Sequence, residues 1–235
     1  MGTICQGAGP QPLRAPGRRT PTTVQTFEHP LQSPAEELVN SLIHGVGLAL
    51  ALAALPILVV RAQGGAAVTG AAAFGATAVL SYLVSTLYHA VRHRRAKAVL
   101  QWLDHAAIYL FIAGSYTPFT LTVLHGAWGW SLFGLVWGLA ALGILFKSLG
   151  AERFPRLSTT LYLAMGWVVL LAIRPLWLEM PGGALLWLFA GGVAYSLGVV
   201  FFAVDQRLRY GHGVWHAFVL AGSVCHFYAV LDVLR

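Results

Sequence analysis

Ala127–Lys147 reads AWGWSLFGLVWGLAALGILFK, and its first twenty residues carry no charge. About twenty apolar residues in a helix rising about 1.5 Å each cover the hydrocarbon core of a bilayer. Six more runs of this kind flank it, at roughly 41–61, 67–91, 99–123, 158–178, 183–204 and 212–234. The gaps between runs are short and hold Gly, Pro or charges: RAQGG, RHRRAK, HGAWG, KSLGAERFPR, EMPGG and DQRLRYG. The alternation of polar and apolar residues that marks a transmembrane barrel strand is absent. The sequence therefore predicts an all-α fold, a seven-transmembrane helix bundle. Small residues such as Gly134 and Gly138, four apart, are expected to serve close helix contacts. Trp128 and Trp130 suit an interfacial belt.

Composition agrees with this reading. The chain is 57% hydrophobic and 10% charged, where a soluble domain carries about 25% charged residues. Mean hydropathy is +0.70. Residues 36–235 read as one transmembrane domain. Residues 1–35, rich in Pro, Gly, Thr and Arg without an apolar run, read as a disordered basic tail. Arg14, Arg18 and Arg19 are not followed promptly by a short apolar region, so the tail is not an ordinary signal peptide. The net charge of +7 does not point to nucleic acid, because membrane orientation accounts for where the positives lie. Neither Cys5 nor Cys225 is placed for a disulfide.

With the tail in the cytoplasm, twelve of the fifteen basic residues fall on that side. They are Arg14, Arg18, Arg19, Arg92, Arg94, Arg95, Lys97, Lys147, Arg153, Arg156, Arg207 and Arg209. Arg61, Arg174 and Arg235 fall on the other. By the positive-inside rule the N-terminus is cytoplasmic and the C-terminus outside.

That orientation fixes the depth of the polar groups within the spans. His212 and His216, in the stretch GHGVWH, are four apart at the cytoplasmic end of the seventh helix and share a face. His89 ends the second helix at the same level, with Ser85 one turn deeper on its face. Asp104 starts the third helix, and Asn40 and His44 start the first. Three imidazoles and a carboxylate at one level suit zinc, which takes His nitrogens tetrahedrally and keeps a position open for water. Asp104 is then the candidate general base toward that water. HGVWH lacks the glutamate of the HExxH motif, so the base must come from elsewhere. Set against this, a lone intramembrane His is more often an interhelical hydrogen-bonding residue, and HxxxH pairs arise by chance. His226, about 15 Å beyond His216 along the helix, is too far for the same coordination sphere and reads as a buried hydrogen-bonding residue. His93 reads as solvated, His105 as a weaker candidate pointing away from Asp104, and His29 and His125 as tail and loop residues.

These residues carry a resemblance. Glu37–Leu–Val–Asn40–Ser–Leu–Ile–His44 resembles the opening motif of the haemolysin III family. Ser85–Thr–Leu–Tyr–His89 followed by Asp104, and His212–Gly–Val–Trp–His216 with His226, resemble its second and closing motifs. That family is the bacterial branch of the progestin and adipoQ receptors, related to the alkaline ceramidases. The resemblance runs from about Glu36 to the end and leaves out the tail. It implies zinc held by His89, His212 and His216, Asp104 as the water's partner, Ser85 as a polar neighbour of the site, and an N-inside seven-helix topology.

The functional expectation is a zinc-dependent intramembrane hydrolase of a lipid amide or ester, serving membrane lipid homeostasis in the inner (plasma) membrane. Its partner is a membrane lipid as substrate or ligand. The alternatives are a seven-helix receptor or regulator with structural zinc, and a haemolysin-like cytolysin. The cytolysin ranks last, since the runs form a permanent bundle with no amphipathic pore-forming segment.

Overall fold

The computed structural model describes residues 32–124, 126–149 and 155–234. Residues 1–31 of the expected tail, with His29 and Cys5, and also His125, Arg153 and Arg235, lie outside the described residues, while the end of that tail is corrected: Ser33 caps α1 and Pro34 and Ala35 are its first residues. Those that are described form helices joined by short turns, with no strand among them. The helices are α1 (Pro34–Arg61), α2 (Gly65–Ala90), α3 (Arg94–Thr122), α4 (Gly126–Ser148), α5 (Pro155–Trp167), α6 (Ile173–Glu179), α7 (Gly182–Val204) and α8 (Gly211–Val233).

Six segments are long and apolar enough to cross a membrane: Pro34–Arg61, Gly65–Ala90, Gly126–Ser148, Leu157–Glu179, Gly182–Arg207 and Gly211–Val233. The exception is α3, which has the length but less apolarity, and its position explains why. It packs against α2, α4, α5 and α8 and buries most of its second half, from Ala106 to Thr120. A helix surrounded by protein has little lipid to face, so it tolerates hydroxyls. Those hydroxyls turn back onto the helix: Thr117 Oγ1 donates to the Ala113 carbonyl at 2.9 Å, and Thr122 Oγ1 to that of Pro118 at 2.7 Å. The outer helices instead expose Leu42, Leu50, Leu142, Leu186 and Val200, the surface a bilayer solvates.

The fifth apolar run, expected as one helix, is broken at its middle. α5 gives way to a 3-10 turn at Val168–Ala172 before α6 resumes. A broken helix inside a membrane must have its freed backbone groups satisfied by neighbours. Tyr116 of α3 does this. Its hydroxyl accepts from the Val169 N–H at 2.9 Å and faces the carbonyls of Met165 and Gly166 at 2.8 and 2.7 Å.

The expected role of Gly134 and Gly138 is corrected. Both are exposed on α4, and a Cβ at either would meet nothing within 4 Å. The close approaches use other glycines. A Cβ on Gly70 would lie 2.7 Å from the Pro118 Cα, and one on Gly143 2.3 Å from the Tyr109 ring. GxxxG spacing marks where two helices could approach, but whether a partner stands opposite depends on the fold.

Candidate metal centre

The site begins with how α1 starts. Ser33 Oγ accepts from the Glu36 N–H at 3.3 Å, and the Glu36 carboxylate accepts from the Ser33 N–H at 2.9 Å, a capping box with proline at the first helical position. The other Glu36 oxygen accepts from the Tyr210 N–H at 3.1 Å, tying this end of α1 to the turn that precedes α8. With α1 started there, Glu37, Asn40, His44 and Gly47 fall on one face. Each meets a different part of the site. Glu37 reaches His89, Asn40 lies against Gly213, the His44 ring centroid is 3.7 Å from that of His216, and Gly47 makes room for Tyr82.

His89, His212 and His216 each turn a ring nitrogen inward, and these three atoms all lie within 4.8 Å of one another. His216 Nε2 is 3.1 Å from His89 Nε2. Tetrahedral zinc with nitrogens at its usual distance sets ligand atoms about 3.3 Å apart, so this pair has the right spacing. The outward nitrogens settle which atoms face in. His89 Nδ1 donates to Glu37 Oε2 at 2.7 Å, and His212 Nδ1 donates to Asp205 Oδ2 at 2.9 Å. Each carboxylate fixes a tautomer with the lone pair on Nε2, the arrangement by which proteins orient metal-binding imidazoles. His216 Nδ1 is buried with no hydrogen-bond partner. Lys97 Nζ donates to the other Glu37 oxygen at 2.7 Å and to the Tyr88 carbonyl at 3.1 Å. By donor set, by the His89–His216 spacing and by the outer partners of His89 and His212, the three histidines could hold a single metal ion, and three imidazole nitrogens are a donor set that suits zinc.

Ser85 and Asp104 line a cavity together with His212, His216 and His44. Asp104 lies beside the Ser85 side chain and within electrostatic reach of His212. The cavity measures about 510 Å³. Near the histidines its wall is polar, with Gln101, Lys147 and Gln206. Ile112, Phe119, Trp167, Leu176 and Leu188 line it as well, with Tyr116, Tyr195 and Ser196 among them.

The structure thus brings together all five candidate residues, His89, His212, His216, Asp104 and Ser85. His226 lies apart from the three-histidine group, as the helix rise requires, but borders the same cavity. His93 is exposed, and its ring accepts from the Ala96 N–H to cap α3. His105 borders the cavity, and its carbonyl accepts from the Tyr162 hydroxyl. Sequence reasoning missed the outer carboxylates. Glu37 was visible as a motif position without a role. Asp205 sat unremarked in the DQRLRYG turn, where its one signal was an acid shortly before HxxxH. A 3-10 turn at Asp205–Arg207 and a left-handed Tyr210 (φ +60°) fold that acid back onto His212.

Comparison with known proteins shows the family. The family model described as Haemolysin-III related matches residues 32–227. The chain is 42% identical over 199 residues to Hemolysin-3 of Bacillus cereus, covering 83% of this chain and 90% of that one. It is equally similar to the Hemolysin-3 homolog of Bacillus subtilis, covering 83% and 93%. It is also 30% identical over 158 residues to the human Monocyte to macrophage differentiation factor, covering 65% of each chain. The chain is a multi-pass integral membrane protein and belongs to the haemolysin III family, within the wider progestin and adipoQ receptor group.

Proposed function

We propose that the protein is a zinc-dependent intramembrane hydrolase of a lipid amide or ester, working in membrane lipid homeostasis. The observation that carries this reading is the pairing of the site with the cavity. His212 and His216 of the three-histidine group line, with Asp104 and Ser85, a cavity of about 510 Å³ whose wall also carries many apolar side chains. His89, His212 and His216 would hold the zinc, which when bound would supply carbonyl polarisation and a more acidic water near neutral pH. The chain's own groups do the rest. The apolar wall receives the hydrocarbon chain and sets the carbonyl at the histidines. Asp104 takes the proton from the water as its oxygen bonds to the carbonyl carbon. Asp104 then returns that proton to the departing amine or alcohol as the C–N or C–O bond breaks. Ser85 holds the Asp104 carboxyl in place. Glu37 and Asp205 hold the tautomers of His89 and His212.

The topology belongs to this reading. α3 counts as a span beside the six apolar ones, giving seven. The basic connections put the N-terminus and the histidines on the cytoplasmic side of the plasma membrane and the C-terminus outside.

A second reading has its own support. The centre joins α1, α2 and α8 through Glu37, His89, His212 and His216, so zinc there also staples three helices. In that case the protein is a receptor or regulator with structural zinc. Asp104→Asn separates the two. It is nearly isosteric and leaves the three histidines intact, so zinc and fold survive, but the amide cannot take a proton. Hydrolysis of a ceramide or ester panel by purified protein falls roughly 100- to 10,000-fold if Asp104 is the base. Undiminished turnover, or an undiminished lipid phenotype in cells carrying the zinc-replete variant, overturns the hydrolase reading.

A further inference from the structure

His226 lies on α8 ten residues after His216, about 15 Å farther along the helix. It borders the cavity, is 9% exposed, and neither ring nitrogen has a hydrogen-bond partner. The Leu188 carbonyl stands near the ring without hydrogen-bonding geometry. Nearby hydroxyls are committed to one another. Tyr82 Oη donates to Ser223 Oγ at 2.7 Å, Tyr195 Oη pairs with Ser223 Oγ at 2.9 Å, and Ser223 donates to the Val219 carbonyl at 2.9 Å. The ring is nonetheless firmly held. It meets the Tyr195 ring edge-on with centroids 5.3 Å apart, and a Cβ on Gly191 would come within 2.3 Å of its Cδ2. A fixed, buried imidazole with unused nitrogens is costly unless something polar meets it. Of the other polar groups lining the cavity, Ser196 Oγ is committed to Trp167 Nε1 at 3.0 Å and to the Gly192 carbonyl at 2.7 Å, and Tyr116 to the α5 break.

We propose that His226 is a second polar anchor in the cavity, receiving a hydroxyl carried on the hydrocarbon chain of the bound lipid. The Nε2 edge of the ring is turned toward Gly191 of α7, so Nδ1 is the nitrogen not turned to that backbone, and a hydroxyl can donate to it or accept from it, whatever the tautomer. The separation sets where that hydroxyl belongs. About 15 Å of extended chain, advancing about 1.25 Å per C–C bond, places it near the twelfth carbon from the carbonyl. The inference rests on the reading that the lipid carbonyl sits at the three histidines, and it assigns the substrate class as a chain-hydroxylated acyl lipid.

The test is a hydroxyl walk. Full-length, zinc-loaded protein in lipid nanodiscs is saturated with a fluorescent fatty acid. Octadecanoic acids with one hydroxyl, moved from near the carboxylate to near the methyl end, then compete for the site. Isomers hydroxylated near the twelfth carbon displace the probe about five- to tenfold better than octadecanoic acid, the worth of one neutral hydrogen bond. Isomers hydroxylated at either end gain nothing. His226→Leu flattens this profile without changing displacement by octadecanoic acid or the zinc content. A flat wild-type profile, a maximum elsewhere, or a preference that survives in His226→Leu overturns the assignment. If that variant does not fold, the wild-type walk decides alone. The readout is displacement rather than turnover, so it can fail while hydrolysis stands, and hydrolysis can fail while it holds.

Discussion

Removing the Glu37 carboxylate tests whether the outer carboxylates make the centre. In Glu37→Ala, His89 keeps its place on α2, but its Nδ1–H, on a side chain only 2% exposed, loses its acceptor. Lys97 loses an ion pair yet keeps the Tyr88 carbonyl and, at 24% exposure, its access to water. The loss therefore falls mainly on His89. A hydrogen bond to a charged group is worth about 1.5–3 kcal/mol. Deleting the outer partner of a metal ligand costs about 10- to 100-fold in metal affinity, or about 1.4–2.8 kcal/mol. The two routes agree, so zinc affinity in Glu37→Ala should fall by one to two decades. Glu37→Gln keeps an oxygen acceptor and loses less, because the bond survives without its charge. Competition with a chromophoric chelator in detergent measures both. Glu36→Ala is the internal control. That carboxylate caps α1 and meets the Tyr210 N–H rather than a histidine, so its loss should lower the melting temperature and cost less zinc affinity than the loss of Glu37. Zinc affinity in Glu37→Ala within twofold of wild type refutes the reasoning, as would an equal loss in Glu36→Ala.

His89→Ala, His212→Ala and His216→Ala should each strip zinc and lower the melting temperature, since a ligand of the folded state stabilises it, whereas His226→Ala should retain the metal by elemental analysis. Gly70→Ala pushes a methyl into the Pro118 backbone and should cost about 1–3 kcal/mol in unfolding experiments, while Gly134→Ala and Gly138→Ala should stay within about 0.5 kcal/mol. For orientation, in a Cys5→Ser background, a cysteine at Arg92 should resist an impermeant thiol reagent in intact cells and one appended after Arg235 should react. Reversed labelling would move the histidines to the other face of the membrane.

How much of this was legible differs by kind of residue. Helix class came from composition, because twenty uncharged apolar residues admit few alternatives in a bilayer. The site came from two things a linear sequence can carry: the i, i+4 spacing of His212 and His216, and the depth of His89 and Asp104 set by basic connections. The break after Trp167 was not legible, since Tyr116, which satisfies its backbone, lies about fifty residues away in the chain. The productive glycines were hidden for the same reason. Gly70 matters because Pro118 stands against it, and Gly134 does not because nothing does.

Asp205 is the instructive miss, and α1 shows the complementary case. Glu37, Asn40 and His44 were visible as a spaced motif, and helical geometry puts them on one face, but a face has no chemistry until its partner is known. Once α1 packs between α2 and α8, the same spacing serves both neighbours. Glu37 orients His89 on one side, and Asn40 and His44 lie against Gly213 and His216 on the other. Asp205 does for His212 what Glu37 does for His89, but from a turn. A helix advertises its face by periodicity. A turn has no period, so an acid delivered by a 3-10 turn and one left-handed residue leaves no trace in spacing. The outer partners of a candidate metal site in a membrane are thus hardest to read where they come from connections rather than spans.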